Sequence, residues 1–279
     1  MLVKEHFGDP MIEQRKLSEG EAVCLLDPQG VIAVSGEDRL SWLHSLLSQN
    51  LKNLAPGESA EALLLDPQGR IEQVIKVIDD GVTCWLMVDQ SHTETLLNWL
   101  GKMVFRMKVE ITDRSDQFAT VGSVKEISEI SFESNQHYLV WKDQWPGAVA
   151  GGHRYSVRSV QYSWFEHLVP VEGLEKRLSG KVLAGTMAAD GLRVEAGRPK
   201  AINEVDEKSL PHELDLLATA VHLSKGCYRG QESVAKVHNL GHPPRRLTFL
   251  HLDGSEHALP DIGDEIKVLG EEKVRGKIT

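Results

Sequence analysis

Lys225-Gly226-Cys227-Tyr228-Arg229-Gly230-Gln231-Glu232 sets a cysteine among two glycines, an aromatic and two cations, and a helix-compatible run over 231–237 begins at its end. Gly226 and Gly230 are expected to allow turns closed to other residues, which puts the cysteine on a tight loop. A thiol just ahead of a helix start, with Lys225 and Arg229 beside it, meets the conditions that favour thiolate over thiol. A lone cysteine is more commonly a small buried hydrophobe. The polar, glycine-rich setting argues instead for a reactive thiol at Cys227, tuned by Lys225 and Arg229.

Working outward, Asp190-Gly191-Leu192-Arg193-Val194-Glu195-Ala196-Gly197 lies upstream, and Leu-Leu-Asp-Pro-Gln-Gly occurs twice, at 25–30 and 64–69. Two copies do not make a solenoid; they read as one hairpin chemistry used twice in pseudo-repeated α+β halves.

The octapeptide resembles the signature of the YgfZ family, folate-binding proteins related to the T-protein (aminomethyltransferase) of the glycine cleavage system. That family includes a mitochondrial iron–sulfur assembly factor. The stretch 192–197 is similar to the Leu-Arg-Leu-Glu-Ala-Gly motif of T-proteins. The resemblance implies an α+β, T-protein-like multi-domain fold with antiparallel sheets and a partial C-terminal β-barrel. It implies that Glu195 binds the pterin of tetrahydrofolate or a derivative. A carboxylate can accept two N–H bonds from such an edge, and Gly197 would admit the ring; the alternative is a solvated Glu195. Tyr228, Gln231 and Glu232 would shape the cysteine loop, with Gly226 and Gly230 as its turns. The implied function is folate-dependent assistance to assembly or repair of iron–sulfur clusters, with client enzymes or assembly factors as partners and only an indirect link to tRNA modification. A folate-dependent aminomethyltransferase and a non-catalytic folate-binding scaffold are the alternatives. Against the transferase, the T-protein stretch that carries a catalytic aspartate aligns with Gly69-Arg70-Ile71-Glu72-Gln73-Val74. There Gln73 takes an acidic position, and an amide cannot titrate. Glu72, one residue off on a strand, would face the other way.

With 279 residues, 41% of them hydrophobic and 26% charged, the chain has the composition of a soluble globular protein with two domains, or one with an appendage. Asp plus Glu is 41 against 31 Lys plus Arg, a net charge of −10, which argues against direct nucleic-acid binding. Cys24, Cys84 and Cys227 are too dispersed for a zinc knuckle and too few for a four-thiolate cluster, so no metal site is expected and the thiols read as reduced and cytoplasmic. No apolar run is long enough to cross a membrane, and the start has no signal-peptide core.

In chain order, 1–20 reads as an arm or first helix, and 22–26 and 31–34 as strands. A helix through Leu40, Leu43, Leu46 and Leu47 is expected to start from a Ser35–Asp38 capping box. Strands at 71–77, 83–88 and 108–112 surround a second helix, started by a Ser91–Glu94 box and ended by Gly101. Residues 116–165 are strand-like, and Trp141, Trp145, Tyr155, Tyr162 and Trp164 read as an aromatic core or a pocket wall. Short helices are expected at 171–178 and 213–220, and strands at 247–252, 265–269 and 273–278. The domain reading is a first unit of 1–50 plus 116–240, an inserted unit of 51–115, and a barrel start at 241–279 that is cut short.

Overall fold

In the computed structural model, which describes residues 2–156, 161–252 and 259–279, the chain forms two five-stranded sheets and a set of short helices. Helix α1 (Pro10–Glu19) starts where the Asp9 carboxylate accepts from Met11 N and Ile12 N, and stops at Gly20 in the left-handed conformation. Then come β1 (Ala22–Leu25), β2 (Gln29–Ser35), α2 (Arg39–Leu46), β3 (Ser59–Leu65), β4 (Ile71–Asp79), β5 (Thr83–Asp89), α3 (Thr93–Lys102) and β6 (Glu110–Asp113). The middle of the chain supplies β7 (Phe118–Ser123), β8 (Glu133–Ser134), β9 (His137–Tyr138), β10 (Val140–Lys142), β11 (Phe165–Pro170), α4 (Leu174–Arg177) and β12 (Val182–Ala184). After α5 (Thr186–Glu195), α6 (Ala201–Glu204) and α7 (Gln231–Leu240), the hairpin β13 (Glu265–Lys267) with β14 (Val274–Lys277) completes the described elements. Part of the strand-like reading of 116–165, namely 157–160, lies outside the described residues.

One sheet runs β10-β11-β7-β1-β12 and the other β3-β4-β5-β2-β6. Among the described residues the pairings are antiparallel except β1 with β12. The two Leu-Leu-Asp-Pro-Gln-Gly copies therefore do different work. The second closes the β3–β4 hairpin, where Asp66 Oδ1 accepts from Gln68 N and Arg70 N at 2.8 Å each and Gly69 sits at φ 78. The first is a crossover between sheets, not the expected hairpin. Leu26 N still donates to Thr120 O in one sheet, while Gln29 already faces Asp89 in the other. Pro28, with no N–H to give either ladder, stands at the change. The second sheet thus takes in 29–35 as well as strands from 59–113.

Other local readings change for identifiable reasons. Ser35 is spent as a β2 residue opposite Thr83, and Asp38 Oδ2 accepts from Lys108 N at 2.8 Å, so the first capping box does not form. Ser91 lies in a short 3-10 turn and α3 starts after His92 without a side-chain cap; Gly101 is inside α3 and Met103 follows its end. Segment 213–220 is a buried run of turns, not a helix. Asp215 stands at φ 58 and its carboxylate is taken by Tyr155 N at 2.7 Å. Residues 247–252 are in no strand, and beyond 246 the described pairing is β13 with β14 alone. No helix of the described residues is long and apolar enough to cross a membrane.

Alternation along the strands builds four apolar layers, three of which bear on the site. Trp85, Met87 and Ala33 of one sheet meet Cys24, Trp141, Trp164 and Leu168 of the other. On the far face of the second sheet, Ile32, Val34 and Leu86 receive Leu43 of α2 and Leu96 and Leu100 of α3. At its β3–β4 end, Leu63, Leu65 and Ile71 pack on Leu217, Tyr228 and Val234. This third layer seats the cysteine loop.

Candidate functional site

The loop 225–230 is anchored at several points and leaves its thiol outside. Tyr228 turns inward, 7% exposed, and burial pushes its phenol up to about 12. Gly230 ends the loop at φ 82, where an added Cβ would come within 2.5 Å of Asp66 O and 2.9 Å of Gly69 Cα. So the cysteine loop and the second Asp-Pro-Gln-Gly turn touch backbone to backbone, which only glycine permits at that φ. Gly226 is different: it has nothing within 4 Å of an added Cβ and no left-handed φ, so neither a turn nor a close approach demands glycine there. Gln231 Nε2 donates to Lys225 O at 3.3 Å, and Glu232 is exposed in the first turn of α7. Cys227 is exposed at the tip, four residues before α7 begins.

The structure commits the two cations to partners other than the thiol. Lys225 is buried, and its ammonium donates to the carbonyls of His44, Leu47 and, at 3.1 Å, Gln49. These are the acceptors that a helix C-terminus leaves open, so Lys225 caps α2. Burial pushes its pKa down to about 8. Arg229 forms a two-pronged pair with Glu72, at 2.8 and 3.1 Å, and lies 5.9 Å from the Trp99 ring centroid. Their tuning role gives way to anchoring. The same pair joins the loop to the stretch that carries the aspartate in T-proteins. Glu72 is exposed and Gln73 is buried, on opposite faces of β4 as the alternation requires. Gln73 Oε1 has no hydrogen-bond partner.

Glu195 is the last residue of α5 and is exposed, with Gly197 just beyond at φ 60. None of the described hydrogen bonds uses its carboxylate. Its neighbour Arg193 is held by Asp190 at 2.6 Å and Glu204 at 3.1 Å. Among the described residues no hydrogen bond or ion pair joins Glu195 to the cysteine loop.

Sequence reasoning missed a buried charge network. Arg198, 6% exposed, donates from Nε to Asp143 at 2.8 Å and from Nη2 to Glu61 at 2.5 Å, and Thr219 Oγ1 donates to the other Glu61 oxygen at 2.7 Å. Burial alone would lower the guanidinium pKa, but Asp143 and Glu61 outweigh it and raise it. Arg198 lies over Trp145 and Trp141, at 5.4 and 6.0 Å. Lys76 approaches the same Trp141 ring at 5.1 Å and pairs with Glu166 at 2.5 Å. Arg198 Nη1 has no partner. The signal is in the sequence: Arg198 follows Gly197, and the tryptophans around it read as an aromatic core or a pocket wall. They are core residues holding a cation, with Trp141, Trp145 and Trp164 all buried. Tyr162 stacks on Trp164, whereas Tyr155 belongs elsewhere, its hydroxyl 3.0 Å from His238 Nδ1. Among the described residues no group of His, Cys, Asp or Glu is arranged to hold a metal.

No protein-family model matches the chain. A chloroplastic protein of Arabidopsis thaliana is 28% identical over 93% of this chain and 61% of its own length. The mitochondrial iron–sulfur cluster assembly factor IBA57 homolog of Mycosarcoma maydis is 28% identical over 80% of this chain and 55% of its own. The tRNA-modifying protein YgfZ of Hamiltonella defensa is 23% identical over 91% and 76%. The chain thus spans little more than half the length of the first two relatives. Its fold is that of the glycine cleavage system aminomethyltransferase T of Bartonella henselae, with a TM-score of 0.61, 16% identity, and coverage of 82% of this chain and 67% of that one. By sequence the chain is thus similar to YgfZ and IBA57 proteins, and by fold to the T-protein.

Proposed function

We propose that the chain binds a reduced folate, tetrahydrofolate or a derivative, and uses Cys227 in assisting assembly or repair of iron–sulfur clusters in client enzymes. An effect on tRNA modification would pass through those clients. One observation carries the reading: of the three thiols Cys227 alone is exposed, at the tip of an anchored loop, while Cys24 and Cys84 are buried. An accessible thiol on a fixed loop can attack, resolve a disulfide, or become a ligand when a partner's metal displaces its proton. The relatives, an iron–sulfur cluster assembly factor homolog and a tRNA-modifying protein, support the class of process.

The residues present fit a folate. Gln73 Oε1 and Arg198 Nη1 are buried without partners. Such atoms each cost about 1–3 kcal/mol unless a ligand or water satisfies them. The uncommitted carboxylate of Glu195 supplies the acceptor for a pterin's N–H fork. When bound, the folate would supply a one-carbon carrier. Gln73 in the acidic position argues against aminomethyl transfer.

Two measurements test the reading. Losing a charge-assisted pair costs roughly 1.5–3 kcal/mol, so calorimetry on Glu195→Ala should show tetrahydrofolate affinity falling on the order of ten- to a hundredfold. Cys227→Ser should keep folate binding yet fail to restore cluster-dependent enzymes in cells lacking the protein. Full restoration would remove the thiol from the function.

A further inference from the structure

Helix α2 and the turn after α3 enclose a surface groove of about 680 Å³. Trp42, 2% exposed, is its floor and donates from Nε1 to the Met103 carbonyl at 2.9 Å. Leu46, Met103 and Met107 form its apolar walls. Phe105 stands at the rim, 83% exposed and at φ 44. A bulky side chain in the left-handed region is strained, and strain of this kind persists where the surroundings enforce it. They do so here. Trp42 holds one side of the turn, and Lys108 holds the other through its N–H to Asp38 and its ammonium to Glu37 at 2.7 Å. An aromatic ring is thus displayed to solvent by a rigid frame, beside a groove it does not fill.

The groove lining includes Arg106 and no carboxylate, and exposed Lys102 lies next to Met103. Neither cation takes part in an ion pair among the described residues. On a chain of net charge −10, the groove lining itself thus carries a cation and no anion. The groove also shares the end of α2 with the anchor of the cysteine loop. Ser45 and Leu46, which line it, sit between the two α2 residues, His44 and Leu47, whose carbonyls hold Lys225. Trp99, one helical turn before Met103, lies beneath Arg229.

We propose that this groove docks an acidic protein partner, which inserts an apolar side chain between Phe105 and Trp42 and so brings its own reactive centre to Cys227. Only the last clause rests on the thiol reading above. The apolar volume is a concavity behind the ring, which fits a protein knob; a lipid surface would call for a convex apolar patch. Phe and Met walls with a cationic rim match the composition of interface cores and the charge steering of their partners.

A random dodecapeptide library displayed on phage and selected against the whole chain tests this. Enriched peptides should be acidic and carry Leu, Ile, Phe or Trp. Their affinity should fall at least about tenfold on Arg106→Glu and on Phe105→Gly, the latter relieving the strained φ and so keeping the fold. A bound peptide should slow iodoacetamide alkylation of Cys227 in step with occupancy. No enrichment, enrichment without acidic bias, or affinity indifferent to both substitutions would overturn the docking site. So would wild-type binding to phosphatidylserine vesicles that the two substitutions abolish. Peptide binding that leaves Cys227 alkylation unchanged would overturn the link to the thiol. Failure of the thiol reading itself shows separately, as full restoration by Cys227→Ser, and leaves the peptide result standing.

Discussion

Replacing Lys225 with methionine keeps an apolar stem and removes the ammonium from the carbonyls of His44, Leu47 and Gln49 and from the Tyr228 ring, whose centroid lies 5.0 Å away. Hydrogen bonds to a charged donor contribute about 1.5–3 kcal/mol, and carbonyls left without a partner cost a similar amount. Against this, the variant no longer buries a charge, a penalty visible in the drop of the Lys225 pKa from 10.5 to about 8. The balance at pH 7 is a loss of about 1–3 kcal/mol, read as a lower urea midpoint at unchanged slope. The pH dependence sharpens the test. Because the folded pKa is depressed, the unfolded chain binds more protons between pH 8 and 10.5, so wild-type stability rises with pH across that window. At about 1.4 kcal/mol per pH unit the gain is at most ~3 kcal/mol, and the variant, lacking the group, does not share it. The gap between the two proteins should therefore widen from pH 8 upward. A gap that stays constant or narrows would refute the burial argument. A variant as stable as wild type at pH 7 would refute the cap.

Four further outcomes can be checked. Gly230→Ala forces a Cβ against the Asp66 carbonyl at φ 82 and should destabilise by about 2–3 kcal/mol in urea melts. Mass spectrometry after iodoacetamide at pH 8 should find Cys227 modified first, because burial raises the Cys84 thiol and, with help from Asp190, pushes Cys24 up to about 12; labelling of all three at one rate would contradict this. Gln73→Asp places a carboxylate in a buried site, so its pKa should rise and the destabilisation should grow as pH climbs through the carboxylate range. The wild-type chain should release no methylene-tetrahydrofolate from an aminomethyl carrier, and robust turnover would reverse the functional reading.

The cysteine loop was legible because its cues are local: a glycine at a left-handed turn, a buried aromatic, a helix start. What its cations do was not, because their hydrogen-bond partners come from 157 or more positions earlier in the chain, as with Glu72 for Arg229. Proximity in sequence suggested tuning, whereas the tertiary fold gave each cation a stronger partner. Likewise two identical hexapeptides read alike, and only pairing with residues far away made one a hairpin and the other a crossover. The run 213–220 had helical spacing, yet buried Asp215 capping the Tyr155 backbone offered the chain a better set of hydrogen bonds. Arg198 and its carboxylates illustrate the same limit, since Glu61, Asp143 and Arg198 meet only in space.

The parallel pairing of β1 with β12 carries a consequence for synthesis on the ribosome. β2 through β6 are all made by residue 113, so the second sheet can assemble while the chain is still being extended. β1 emerges before any of them, yet its two neighbours in the first sheet are β7 and β12, the latter finished only at Ala184. Ala22-Val23-Cys24-Leu25, buried throughout in the finished protein, must wait as an unpaired apolar strand with its thiol uncovered. Non-local closure of this kind is slow, and a waiting edge invites wrong partners. The nascent chain is thus most vulnerable to aggregation and to oxidation at Cys24 during translation of roughly the second third of its length.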